Sequence, residues 1–117
     1  MNNGLEFILN KKYTYTARLD CGDLCVKDRF KTQETYLDLN KDISLVGTNV
    51  DFLDTNGNLV YTLIVPEKDE LIRKKMFINA MHIHPTIMFR NSILEVIGCY
   101  PIEYIAAEDY AFFFQMM

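Results

Sequence analysis

Four groups of residues in this sequence carry side chains able to do chemistry. They are the turn Asp20-Cys21-Gly22-Asp23, the pair His82 and His84, Arg90, and the step Glu108-Asp109. The acidic turn ends a strand-like run, Tyr13-Thr14-Tyr15-Thr16 and then Leu19. Two carboxylates at the C-terminal end of a strand can hold a hard cation such as Mg²⁺, which takes one or two protein carboxylates and leaves its other positions to water and substrate phosphates. An Asp/Gly-rich loop can equally just turn and stay solvated. His82-Ile83-His84, if a strand, points both rings to one face, where two imidazoles could ligate a metal. No third ligand stands close by, so a single functional His84, placed by its loop before Pro85, is the preferred reading. Arg90 at a strand end can pair with a carboxylate or a phosphate, or simply lie on the surface. Glu108 and Asp109 open a helix, where the dipole alone favours carboxylates. They point about 100° apart on that helix and so cannot share one role.

The elements that position these groups follow from spacing. Asn3–Lys12 places Leu5, Ile8 and Leu9 at helical intervals, with Asn2 or Asn3 as cap, and feeds the strand Tyr13–Leu19. Val26–Leu39 reads as the best helix, with Val26, Phe30, Tyr36 and Leu37 as its apolar side and Asn40 in a left-handed closing position. Ile43–Gly47 is a short buried strand. Asn49–Leu53 and Asn58–Val65 flank Asp54-Thr55-Asn56-Gly57, and Asn-Gly between apolar runs signals a hairpin. Pro66 opens a helix whose acidic start and basic end suit the dipole, so Arg73-Lys74-Lys75 is a solvated helix end. Thr86–Arg90 reads as a strand, and Ser92 with Glu95 as a capping box for a helix ending at Gly98. The last helix is apolar nearly all round through Tyr110, Phe112, Phe113, Phe114, Met116 and Met117, so it must be buried against something.

Composition narrows the class. With 117 residues, half of them hydrophobic, the chain has about one domain's length and enough apolar material for a core. A formal net charge of −4 and a pI near 5.1 leave no basic footprint, so nucleic acid is not an expected partner. No apolar run reaches the ~18 residues of a membrane span, and Met1-Asn2-Asn3-Gly4 opens no signal peptide. Cys21, Cys25 and Cys99 form an odd set without a CxxC pair, which favours reduced thiols in a soluble, cytoplasmic protein over a zinc site.

The order and spacing of the blocks add a resemblance. YTARLDCGD, RFKTQETYL, DISLVGTNVDFLDTNGNL, HPTIMFRNSILEVIGCY and AAEDYAFFFQ together resemble the family-2 glycosyltransferases of the GT-A fold, over nearly the whole chain. The resemblance implies an α/β, Rossmann-like domain with a mixed sheet flanked by helices. It implies Asp20 and Asp23 as the turn that holds Mg²⁺ or Mn²⁺ against the diphosphate of a nucleotide-sugar donor, and Asp109 as the base for the acceptor hydroxyl. Glu108, His84 and Arg90 become supporting residues around acceptor and diphosphate, and Arg18 matches a family position beside the acidic turn. The implied reaction inverts the anomeric centre by direct displacement and needs no protein nucleophile. The acceptor is expected to be a glycan or a lipid-linked glycan, handled at the inner face of the membrane. The family's usual turn carries Asp where this chain has Gly22, so one metal ligand of the common pattern is absent. Residues 1–117 are further expected to form a single partial domain, the family's nucleotide-binding half preceding Asn3. Two other readings fit the same blocks: a non-catalytic remnant that binds without reacting, and a module that self-associates through its hydrophobic C-terminal helix.

Overall fold

The computed structural model describes residues 1–117, and its three-stranded sheet is built on one short strand, β5 (Met88–Arg90). This strand lies between β1 (Tyr15–Ala17) and β2 (Leu45–Val46), antiparallel to both, with Phe89 opposite Thr16 on one side and Leu45 on the other. Met88 and Phe89 point to opposite faces and both are buried, so the sheet centre is covered on both sides. That explains why Ile87-Met88-Phe89 is apolar without alternation.

Helix α1 (Asn2–Asn10) buries Leu5 and packs Ile8 beside it. Helix α2 starts later than expected, at Arg29, and runs to Leu39. Its buried side also differs from the expected one: Val26, Phe30 and Tyr36 are exposed, whereas Arg29, Gln33 and Leu37, four apart, are buried. The reason is hydrogen bonding. Arg29 and Gln33 face loop carbonyls that would otherwise be buried unpaired, and Gln33 Nε2 donates to Thr86 O at 2.8 Å. Asn40 is not left-handed, having φ of −119°; its side-chain amide closes the helix by donating to Tyr36 O at 2.7 Å.

The hairpin forms as expected, from β3 (Val50–Leu53) and β4 (Leu59–Leu63). Its turn is built by Asp54, whose carboxylate accepts the backbone N–H groups of Asn56 and Asn58 at 2.8 and 2.9 Å, and by Gly57 at φ +85°. Phe52 stacks on Tyr61 with centroids 4.5 Å apart. Helix α3 begins at Asp69 rather than Pro66 and ends at Met76, with the Asp69–Arg73 and Glu70–Lys74 pairs formed at 2.6 and 2.9 Å. Ser92 and Glu95 make no capping box: Asn91–Ile93 is a 3-10 turn that runs straight into α4 (Leu94–Ile97), and no side chain caps it. Gly98, at φ +78°, ends α4 as expected.

Helix α5 (Glu108–Gln115) finds its cover inside the chain. Phe112 stacks on Tyr100 at 4.2 Å and meets Phe89 edge-on at 5.7 Å, while Tyr110 donates its hydroxyl to Met76 O. Phe112 and Phe113 join Leu5, Met76, Ile87 and Phe89 in the core, with Met116 and Met117 packed against it. Helices and strands combine in an α/β domain, as expected, but every strand pairing is antiparallel, so the expected mixed sheet is not formed.

Candidate active site

The acidic turn hangs from the end of β1. Arg18 N–H still donates to Ile87 O at 2.9 Å, so the chain leaves the sheet only after this residue. Asp23 N–H then closes on Asp20 O at 3.1 Å, and Gly22 takes φ +95°, a conformation that side chains disfavour. The turn is tied to the His84 loop by Arg29, which donates to Arg18 O and, at 2.9 Å, to Pro85 O. Arg29 therefore positions both halves of the site. Its sequence signal is a cation on the side of α2 that faces the core, which hydropathy spacing alone does not single out.

Arg18 Nη2 pairs with Asp20 Oδ1 at 2.8 Å. Arg18 Nε is buried without a partner. His84 Nε2 lies 2.8 Å from the hydroxyl of Tyr100, a residue that the resemblance did not single out. Burial holds the His84 pKa below its ordinary value, and the Arg18 charge pushes the same way, against Asp109 and Asp20. Burial pushes the Tyr100 phenol up to about 12, with the same three charges acting on it. Arg18, Asp20 and Asp109 are thus near enough to bear on the His84–Tyr100 pair. Asp109 sits in the first turn of α5, and its Oδ1 accepts the N–H of Tyr110 at 2.7 Å. Glu108 precedes it, half-buried. The chain enters this helix through Ala106 at φ +64°, a left-handed conformation costing a non-glycine residue about 1 kcal/mol.

Other expected site residues lie elsewhere or stand alone. Arg90 is a structural clamp. It donates to Ile43 O at 2.8 Å, to Asn40 O at 3.1 Å, to Leu37 O, and to the Tyr15 hydroxyl at 2.9 Å, joining β5 to the end of α2. Asp23 is exposed, and its carboxylate has no hydrogen-bond partner in the chain. The two histidines do not form a strand pair, because His84–Thr86 is a 3-10 turn and the strand begins only at Met88. His82 instead borders a cleft of about 700 Å³ between β2, the base of the hairpin, α3 and the end of α5. None of Arg18, Asp20, Asp23, His84, Glu108 and Asp109 lines that cleft, so the cleft and the candidate chemistry are separate.

No cluster of three His, Cys, Asp or Glu side chains forms a ready metal cage. Asp20 keeps one carboxylate oxygen free of Arg18, and Asp23 keeps both of its own. That donor set suits a hard cation that completes its shell with water and phosphate oxygens, not a closed protein site such as structural zinc.

The chain is 34% identical over 100 residues to an uncharacterized glycosyltransferase of Methanocaldococcus jannaschii, covering 84% of this chain and 34% of that protein. It is 30% identical over 95 residues to the O-antigen biosynthesis glycosyltransferase WbnJ of Escherichia coli, covering 77% of this chain and 37% of that one. A bifunctional glycosyltransferase of Dictyostelium discoideum, pgtA, is 26% identical over 133 aligned positions, covering 88% of this chain and 17% of its own length. All three are named as sugar-transferring enzymes, so the likeness supports a glycosyltransferase. The chain spans about a third of the length of the first two relatives. No protein-family profile and no solved structure matches it. No helix is long and apolar enough to cross a membrane.

Proposed function

We propose that this chain is the acceptor-side part of an inverting, family-2-like glycosyltransferase of the GT-A fold. It would transfer a sugar from a nucleotide-diphosphate donor to a glycan or lipid-linked acceptor. The supporting observation is that Arg29 ties the Arg18–Asp20 turn to the His84 loop, while the His84 ring meets Tyr100 and Phe113, the latter on α5, the helix that also carries Asp109.

In this reading the Asp109 carboxylate accepts the proton of the acceptor hydroxyl. The acceptor oxygen bonds to the anomeric carbon as the bond to the diphosphate breaks, and the electron pair leaves with the diphosphate. Arg18 and His84 supply donors near the departing oxygens, and Glu108 helps to shape the acceptor side. Asp20 and Asp23 would hold Mg²⁺ or Mn²⁺, which neutralises charge on the diphosphate when bound. Arg90, fully engaged with the protein, is left out of the site. The E. coli relative is named for O-antigen biosynthesis, which supports a glycan acceptor; work at the inner face of a membrane belongs to the same proposal.

The test, made in the full-length protein that supplies the nucleotide-binding half, is release of nucleoside diphosphate from a panel of nucleotide sugars with Mg²⁺. Asp109→Asn is expected to lower the rate roughly 10²–10⁴-fold, the usual worth of a general base, with unchanged melting. Gly22, in place of the family's usual acid, favours a second reading, a module that binds without reacting. Under that reading the wild type releases nothing and Asp109→Asn leaves ligand affinity unchanged.

A further inference from the structure

Tyr100 is held from three sides. Its backbone N–H donates to Asn2 Oδ1 at 3.0 Å, and its carbonyl accepts from Asn2 Nδ2 at 2.9 Å. Its ring lies stacked on Phe112. Only the hydroxyl is left to act, and it meets His84 Nε2 at 2.8 Å. His84 is further fixed by edge contacts of its ring with Tyr100 and Phe113, at 5.5 and 5.7 Å. Its other nitrogen, Nδ1, has no hydrogen-bond partner within the chain.

We propose that Tyr100 is a positioning residue: its phenol O–H donates to His84 Nε2 and locks the imidazole as the Nδ1–H tautomer. The direction follows from chemistry. A neutral imidazole has one donor and one acceptor nitrogen, so the bond at Nε2 decides the role of Nδ1. A phenol oxygen shares its lone pair with the ring and is a better donor than acceptor. Burial favours the protonated phenol and the neutral imidazole, the forms this bond needs. Nδ1–H is then a fixed donor. That it meets an oxygen of a bound donor or acceptor sugar rests on the glycosyltransferase reading.

The chain has two histidines, so long-range ¹H–¹⁵N NMR of the ¹⁵N-histidine protein near pH 8 resolves both tautomers. The expected result is an unprotonated, pyridine-type Nε2 and a protonated Nδ1 at His84. Tyr100→Phe keeps the ring stack and removes the O–H; it is expected to shift the tautomer ratio toward Nε2–H, the form free histidine prefers, by roughly fivefold. A wild-type His84 protonated at Nε2, or a ratio unmoved by Tyr100→Phe in a folded protein, overturns the proposal. Should that variant not fold, the wild-type tautomer still decides. Adding UDP or GDP with Mg²⁺ is a separate arm. Spectra unaltered by either nucleotide, with the tautomer as expected, would count against the glycosyltransferase reading and leave the Tyr100–His84 assignment standing.

Discussion

Arg90→Ala should unfold this domain more readily than any other single change to a charged residue. The guanidinium donates to three carbonyls, those of Leu37, Asn40 and Ile43, and to the Tyr15 hydroxyl, and its plane lies 5.4 Å from the Tyr15 ring. Tyr15 in turn donates to Asp38 at 2.7 Å, so the clamp links β5, β1 and the end of α2. A hydrogen bond from a charged donor contributes roughly 1.5–3 kcal/mol. The four do not add, because Arg90 is only half-buried and water can reach some of the freed carbonyls. A net loss of about 3–4 kcal/mol follows, near the top of what single substitutions do. For a domain near 100 residues that lowers Tm by at least roughly 12 °C. Arg90→Lys should recover at most about half, since an ammonium cannot fork to several acceptors. The assay is thermal unfolding by circular dichroism. An Arg90→Ala protein melting within about 3 °C of wild type would refute the clamp and return Arg90 to the substrate-binding role that its place in the sequence suggests.

Two more predictions concern the supports of the site. His82 and His84 both have pKa values below the ordinary 6.5, chiefly through burial, so below about pH 6.5 the unfolded chain binds more protons than the folded one. Their contribution to stability is therefore full above pH 6.5 and is lost as pH falls through the folded values. Urea midpoints should be lower at pH 5.5 than at 7.5, and a midpoint that rises on acidification would contradict this. Gln33→Ala should cost roughly 1–3 kcal/mol by leaving the carbonyl of Thr86 without its buried donor, read as a shift in urea midpoint at unchanged slope.

Much of the architecture was legible because local signals and tertiary packing agree. Asn56-Gly57 makes its hairpin, Gly98 stops its helix, and the pairs Asp69–Arg73 and Glu70–Lys74 form at the expected spacing. The α2 helix was misread where they disagree: hydropathy points to Phe30 and Tyr36, but the buried side is chosen by Arg29 and Gln33 reaching loop carbonyls. No periodicity encodes which carbonyls a fold will leave unpaired. The same limit applies to the site. The residue types at Asp20, His84 and Asp109 were visible in sequence, whereas the Tyr100 hydroxyl on His84 and the Arg29 bridge depend on contacts across 16 and 56 residues. The Arg90 clamp was not legible for a related reason, since a strand-end arginine looks alike in sequence whether it meets a phosphate or its own backbone.

The central claim is that the turn at Asp20 and Asp23 takes a metal-bound diphosphate, and isothermal titration of the chain with UDP and GDP tests it most directly. Binding is expected with Mg²⁺ or Mn²⁺, to be lost when the metal is chelated, and to be abolished by Asp20→Ala. Nucleotide affinity that is indifferent both to the metal and to Asp20→Ala would contradict the account.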